Sequence, residues 1–170
     1  MQQITSSAQL KDQILELLRK NGLDSPFYSR ILDYTIELFH AEGLGDDHYG
    51  YHNIVHELEV TYVALIAAQW ESFLNNFTKE DLSYLFVAAL FHDYDPRKQV
   101  DKPNEEDAVK FVKTDERLLE LMKDVGIDEN IIAALILRTT HPWSGELQQK
   151  AEKQIEEYLL VSDKIGRAHV

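Results

Sequence analysis

Cysteine is absent from the 170 residues. Disulfides, cysteine nucleophiles and thiolate metal sites are therefore excluded, and any metal must be held by histidine, carboxylate, carbonyl or water. Basic charge is scarce. Against 30 Asp and Glu stand only 17 Lys and Arg, for a formal net charge of −13 and a pI of about 4.9. Such a chain lacks the basic footprint that a nucleic-acid duplex or an anionic membrane requires. An anionic substrate fits only where the site brings its own positive charge, which a bound metal would supply. Long apolar runs are missing too: stretches such as LFVAALF over residues 85–91 are far too short to span a bilayer. The opening MQQITSSAQLKDQ shows no basic region leading into an apolar core, and the expected location is cytoplasmic. Alternating strand patterns, internal repeats and low-complexity tracts are also absent.

What is present is helical periodicity almost throughout. Leu10, Ile14, Leu17 and Leu18 recur at helical spacing before Asn21-Gly22 stops the run. A second helix follows Ser25-Pro26, with proline suited to the first turn, and ends near Gly43 and Gly45. GDDHYGYH reads as a polar loop. A long helix is expected from His52 to about Phe77, and Thr78-x-x-Asp81 resembles a capping box opening another that runs to about Asp93. After the loop YDPRKQVDKP, helices are expected over 104–113, 115–125, 128–140 and 144 to about 165, separated by Gly126 and Pro142. The predicted fold is all-α, a single-domain helical bundle of about seven or eight helices over residues 1–170. The last residues, LLVSDKIGRAHV, follow strong apolar periodicity with no stop signal. That has the look of a truncated chain, with a short frayed end as the alternative.

Four short segments carry candidate chemistry. In Tyr51-His52-Asn53-Ile54-Val55-His56, two histidines stand four residues apart. On a helix they would share a face and point into one cavity. Phe91-His92-Asp93 places an acid at the end of a buried segment, where it must be paired, solvated or bound to a metal. Thr139-Thr140-His141 and Asp163 follow two further apolar runs. Alone, the first reads more simply as two partly buried histidines satisfied by neighbours, and each of the others as polar residues at a helix end, with Asn53 most simply a cap. Together they offer a nitrogen and oxygen ligand set suited to a divalent transition metal. A zincin pattern is excluded, because position 60 is Val.

This ordered set resembles the HD-domain superfamily of metal-dependent phosphohydrolases, whose pattern is H…HD…D on a helical bundle. The resemblance matches His56 to the first metal ligand, His92 and Asp93 to the doublet, and Asp163 to the final aspartate. YHNIVH also resembles the opening motif of cyclic-nucleotide phosphodiesterases, in which the first histidine protonates the leaving oxygen; that role would fall to His52. A bacterial subgroup of predicted HD phosphohydrolases is similar at YHNIVH (51–56), FHDYDP (91–96), NEEDAVKFV (104–112) and VSDKIG (161–166), so the expected metal-site core covers 51–166. No histidine stands between Asp95 and Pro96, a departure from the phosphodiesterase pattern that weakens the match for a second metal and for a cyclic-nucleotide substrate and leaves the number of metals, one or two, open. Tyr94-Asp95 replaces the Glu-Asp motif of guanosine tetraphosphate hydrolases, which ranks that substrate low.

The resemblance implies a divalent ion (Mn, Fe, Ni, Co, Zn or Mg) that lowers the pKa of a bound water for attack on phosphorus. Asp93 or Asp163 would orient that water. His52 would act as general acid, which suits the ordinary imidazole pKa near 6.5. The expected partner is a small-molecule phosphomonoester or phosphodiester, nucleotide-like in kind, with no nucleic-acid duplex and no membrane. Arg97, Lys98, Lys164 and His141 are candidate substrate contacts, although solvated surface charge is the plainer reading of any single basic residue. His141 is also a candidate second-metal ligand, and Glu105 and Glu106 match the subgroup motif. Two other function classes compete: a non-catalytic or regulatory HD module that binds a nucleotide or a protein partner, and a di-iron oxygenase on the same fold.

Overall fold

The computed structural model describes residues 5–50, 52–69, 77–94 and 104–139. Among them there are seven helices and no strand: α1 (Ser7–Lys20), α2 (Pro26–Ala41), α3 (Ile54–Ala68), α4 (Lys79–Phe91), α5 (Asn104–Thr114), α6 (Glu116–Asp124) and α7 (Glu129–Leu137). The all-α expectation therefore holds over these residues. The helix expected over 144–165 lies outside them.

Local chemistry sets where each helix starts. Ser6 and Gln9 form a capping box on α1, and Thr78 and Asp81 form the one expected on α4. Ser25 caps α2 with Pro26 in its first turn. Asp115 and Asp128 cap α6 and α7. The helix start with the most bearing on function is that of α3. It begins at Ile54, with Asn53 as its N-cap, and it ends at Ala68. The helix expected from His52 to Phe77 is therefore shorter, and His52 precedes it. The reason is in the cap: Asn53 takes an extended conformation, and its side chain accepts a hydrogen bond from the His56 backbone N–H at 2.9 Å. A residue bonded in this way ends the helix on its N-terminal side.

Two helices have no polar face. In α4 every residue from Asp81 to Phe91 except Ser83 is buried, and in α7 every residue from Ile131 to Leu137 is buried. A helix that is apolar all round must lie inside the bundle. α4 packs against α3 on one side and α7 on the other, while α7 also packs against α5, and α1 covers α3. Burial of Phe86 and Phe91, both 0% exposed, stabilises this arrangement by about 2 kcal/mol each. Tyr94 extends the core past the end of α4. Its ring packs on Phe39 at 5.2 Å and on Phe111 at 4.5 Å between centroids, which fixes the His92-Asp93 turn between α4 and Tyr94.

The segment between α2 and α3 is clasped at several points. Gly43, at φ +71°, gives α2 the left-handed turn that lets Leu44 N–H reach back to Phe39 C=O at 2.8 Å. Leu44 is buried, and its carbonyl accepts from Ile54 N–H at 2.9 Å. Asp46 accepts from the Ser7 backbone N–H at 3.0 Å, and Asn53 Nδ2 donates to His48 C=O at 2.8 Å. His40 lies with Nε2 3.4 Å from Asp46 Oδ1.

Asn53→Ala is expected to lower unfolding stability by about 1 kcal/mol, and Asn53→Asp or Asn53→Ser to restore most of it. Urea melts of the three variants check this; equal loss in all three would mean that capping is not what Asn53 contributes.

Candidate metal centre

The N-terminal end of α3 meets the C-terminal end of α4, so the two helices run antiparallel, and their junction collects the histidines. One carboxylate oxygen is the focus. Asp93 Oδ2 lies 3.2 Å from His92 Nε2, 3.3 Å from His52 Nδ1 and 3.5 Å from His56 Nε2. The rings of His52 and His56 stand edge to face at 6.1 Å, and those of His56 and His92 lie 6.3 Å apart. The two histidines of the opening motif therefore both approach Asp93 Oδ2. They do so with His52 on the turn before the cap and His56 in the first helical turn, rather than on one helical face.

Exposure separates the groups. The side chains of His56 and His92 are 15% and 14% exposed and that of Asp93 is 16%, whereas His52 is 40% exposed and stands nearest to solvent. His92 caps the end of α4, where its Nδ1 donates to the carbonyl of Ala89 at 2.8 Å. That carbonyl is one of those left without an intrahelical partner at a helix C-terminus.

The same ring nitrogen leads to a residue that the sequence reading missed. Glu57, next to His56, is 0% exposed, with Oε2 3.3 Å from His92 Nδ1. Neither of its carboxylate oxygens has a hydrogen-bond partner among the described residues. A signal existed. Ile54, Leu58, Thr61, Leu65 and Ala68 form the buried stripe of α3, and Glu57 falls on that stripe. An acid at a core position of an amphipathic pattern must find a partner inside.

Burial and charge oppose one another at every group. Burial works against a charged His92, but the hydrogen bonds and charges of Asp93 and Glu57 outweigh it and lift its pKa to about 11. Burial would raise the Asp93 carboxyl, yet His92, with His52 and His56 beyond it, holds it below the usual range. His56 is lowered, chiefly by burial, and Glu57 is raised by burial. Glu105, at the start of α5, is raised by burial and also by the charge of Asp93, so it stands within electrostatic reach of the cluster.

One donor atom from each of His52, His56, Glu57 and Asp93 lies within 4.8 Å of all the others. Two imidazoles and two carboxylates in so small a volume suit a divalent transition ion. A cation there would also neutralise the buried Glu57 carboxylate. The donor set fits a metal. Asp163, His141, Arg97, Lys98 and Lys164 lie outside the described residues.

The raised pKa of His92 predicts how stability varies with pH in metal-free protein. A group whose folded pKa exceeds its unfolded value gives stability that is complete below about pH 6.5 and is lost as pH rises toward the folded value. Metal-free protein should therefore lose stability steadily between pH 7 and pH 10 in urea melts. His92→Gln should flatten that slope; an unchanged slope would remove His92 as its source.

Comparison with known proteins bears on the same residues. The HD domain family model matches residues 54–166, most of the chain, and takes in both helices of the cluster. No curated protein and no solved structure matches. The histidines and the aspartate that meet between α3 and α4 are thus set within a chain that belongs to the HD domain family, whose members are typically metal-dependent hydrolases.

Proposed function

We propose that the protein is a metal-dependent phosphohydrolase that cleaves a small phosphomonoester or phosphodiester, nucleotide-like in kind. The observation that carries this reading is the convergence of three imidazoles on Asp93 Oδ2 at 3.2 to 3.5 Å in a chain of the HD family. His56, His92 and Asp93 would hold the ion, with Asp163 as the remaining ligand. When bound, a divalent ion there supplies Lewis-acid polarisation and a nucleophile usable near neutral pH.

The chain's own residues do the rest. His52 is the most exposed of the three histidines, and its Nδ1 lies 3.3 Å from Asp93 Oδ2. That leaves Nε2 to carry a proton to the leaving oxygen as general acid. Asp93 sets the orientation of the three rings at once. Arg97, Lys98, His141 and Lys164 are the proposed contacts to substrate oxygens. A net charge of −13 supports a small substrate over a duplex or a membrane surface. Among the described residues, no helix is long and apolar enough to cross a membrane.

Elemental mass spectrometry of wild type beside Asp93→Ala, each incubated with Mn, Fe, Co, Ni, Zn and Mg, tests the site. Near-stoichiometric metal in the wild type and none in the variant is expected; full occupancy in Asp93→Ala would sink the ligand assignment. A panel of phosphomonoesters and phosphodiesters then tests the reaction. With a substrate in hand, His52→Ala should keep its metal and turn over about 10²-fold more slowly. Unchanged turnover would remove His52 as the acid.

A further inference from the structure

Glu57 is not needed by the reaction just described, and the core gives it no reason to be there. Its neighbours on the buried stripe of α3 are Ile54, Leu58, Thr61, Leu65 and Ala68. An apolar side chain at this position would bury without the desolvation cost that a carboxylate bears. Yet Glu57 is 0% exposed, and its nearest positive group among the described residues is one ring nitrogen, His92 Nδ1, 3.3 Å from Oε2. The other nitrogen of that ring, Nε2, faces Asp93 Oδ2 at 3.2 Å. One Glu57 oxygen also lies within 4.8 Å of a donor atom of each of His52, His56 and Asp93, so Glu57 borders the cluster as well as the His92 ring.

We infer that Glu57 is a positioning residue for the metal centre: its buried carboxylate holds His92 with the proton on Nδ1 and so presents Nε2 to the ion. This rests on the metal reading of the site and adds a residue to it. Two acceptors share the work. Ala89 C=O, at 2.8 Å from Nδ1, supplies direction, and Glu57 supplies charge, which makes the far nitrogen a stronger donor to a cation. The fixed charge of Glu57 also offsets that of an ion enclosed with it away from water. The placement of Glu57 beside His56 links the two helices: one turn of α3 carries a proposed ligand of its own and the carboxylate that orients the proposed ligand on α4.

The test compares wild type, E57Q and E57L by titration calorimetry with Mn²⁺, by metal-free thermal melts, and by the visible spectrum of Co²⁺-loaded protein. E57Q and E57L are expected to bind Mn²⁺ about 10- to 100-fold more weakly than wild type. Metal-free E57L should melt below wild type, since His92 loses one of its two carboxylate partners. The Co²⁺ bands of E57Q should keep the intensity of the wild-type coordination number. Wild-type Mn²⁺ affinity in both variants would make Glu57 merely structural and overturn the inference. Loss of one ligand in the E57Q spectrum would overturn it in favour of direct coordination. If E57L does not fold, E57Q, equal in size, decides the affinity question alone. A wild type that takes up no divalent ion would overturn the metal reading itself, and this inference with it.

Discussion

Asp93 keeps a negative charge where little water can reach it, and three imidazoles answer that charge. This exchange of hydration for fixed partners governs the rest of the site. A carboxylate sheltered to this degree is costly unless it is paired and hydrogen-bonded. His52, His56 and His92 each bring a nitrogen within 3.5 Å of the same oxygen, and they come from three different stretches of local geometry. Removing the charge would leave the rings with no common focus. Removing the rings would leave the charge with no compensation.

The helical framework brings these groups together through its ends. α4 is buried on nearly all sides, so the polar residues that follow it open into the interior of the bundle rather than into solvent. α3 starts at the same level and brings backbone N–H groups and two imidazoles toward the carbonyl end of α4. The opposed partial charges of the two helix ends are mutually favourable. Tyr94, held between Phe39 and Phe111, keeps the His92-Asp93 turn from drifting. Precision at the cluster therefore derives from packing several residues away.

Much of this was legible in the chain. The helices around Leu10, Ile31, Leu85 and Ile132 show in apolar spacing, because each has a core to face. The caps at Ser25 and Thr78 show in residue type. His92-Asp93 stood out because a charge at the end of LFVAALF demanded a partner. His52 was misplaced onto the helix because periodicity reports which residues recur, while the helix start depends on one side-chain hydrogen bond from Asn53. Glu57 escaped notice because His56 beside it drew the reading toward histidine. Its burial became visible only once Ile54 and Leu58 were seen to flank it on the core stripe. The approach of His40 to Asp46 left no trace in spacing, since it joins two segments through a loop clasp that no periodicity describes.

The cap at Asn53 also divides the chain into a tolerant and an intolerant side. Ahead of His52, the segment after Leu44 follows an irregular path, and a residue gained or lost between its clasped points at Asp46 and His48 and the cluster can be absorbed by a change of loop shape. Behind the cap, every position is locked to the helical screw. One residue inserted between Asn53 and His56 would swing His56 and Glu57 about 100° around the helix axis, carrying both off the interior face. Natural length variation in relatives of this chain should therefore collect before His52 and stop there.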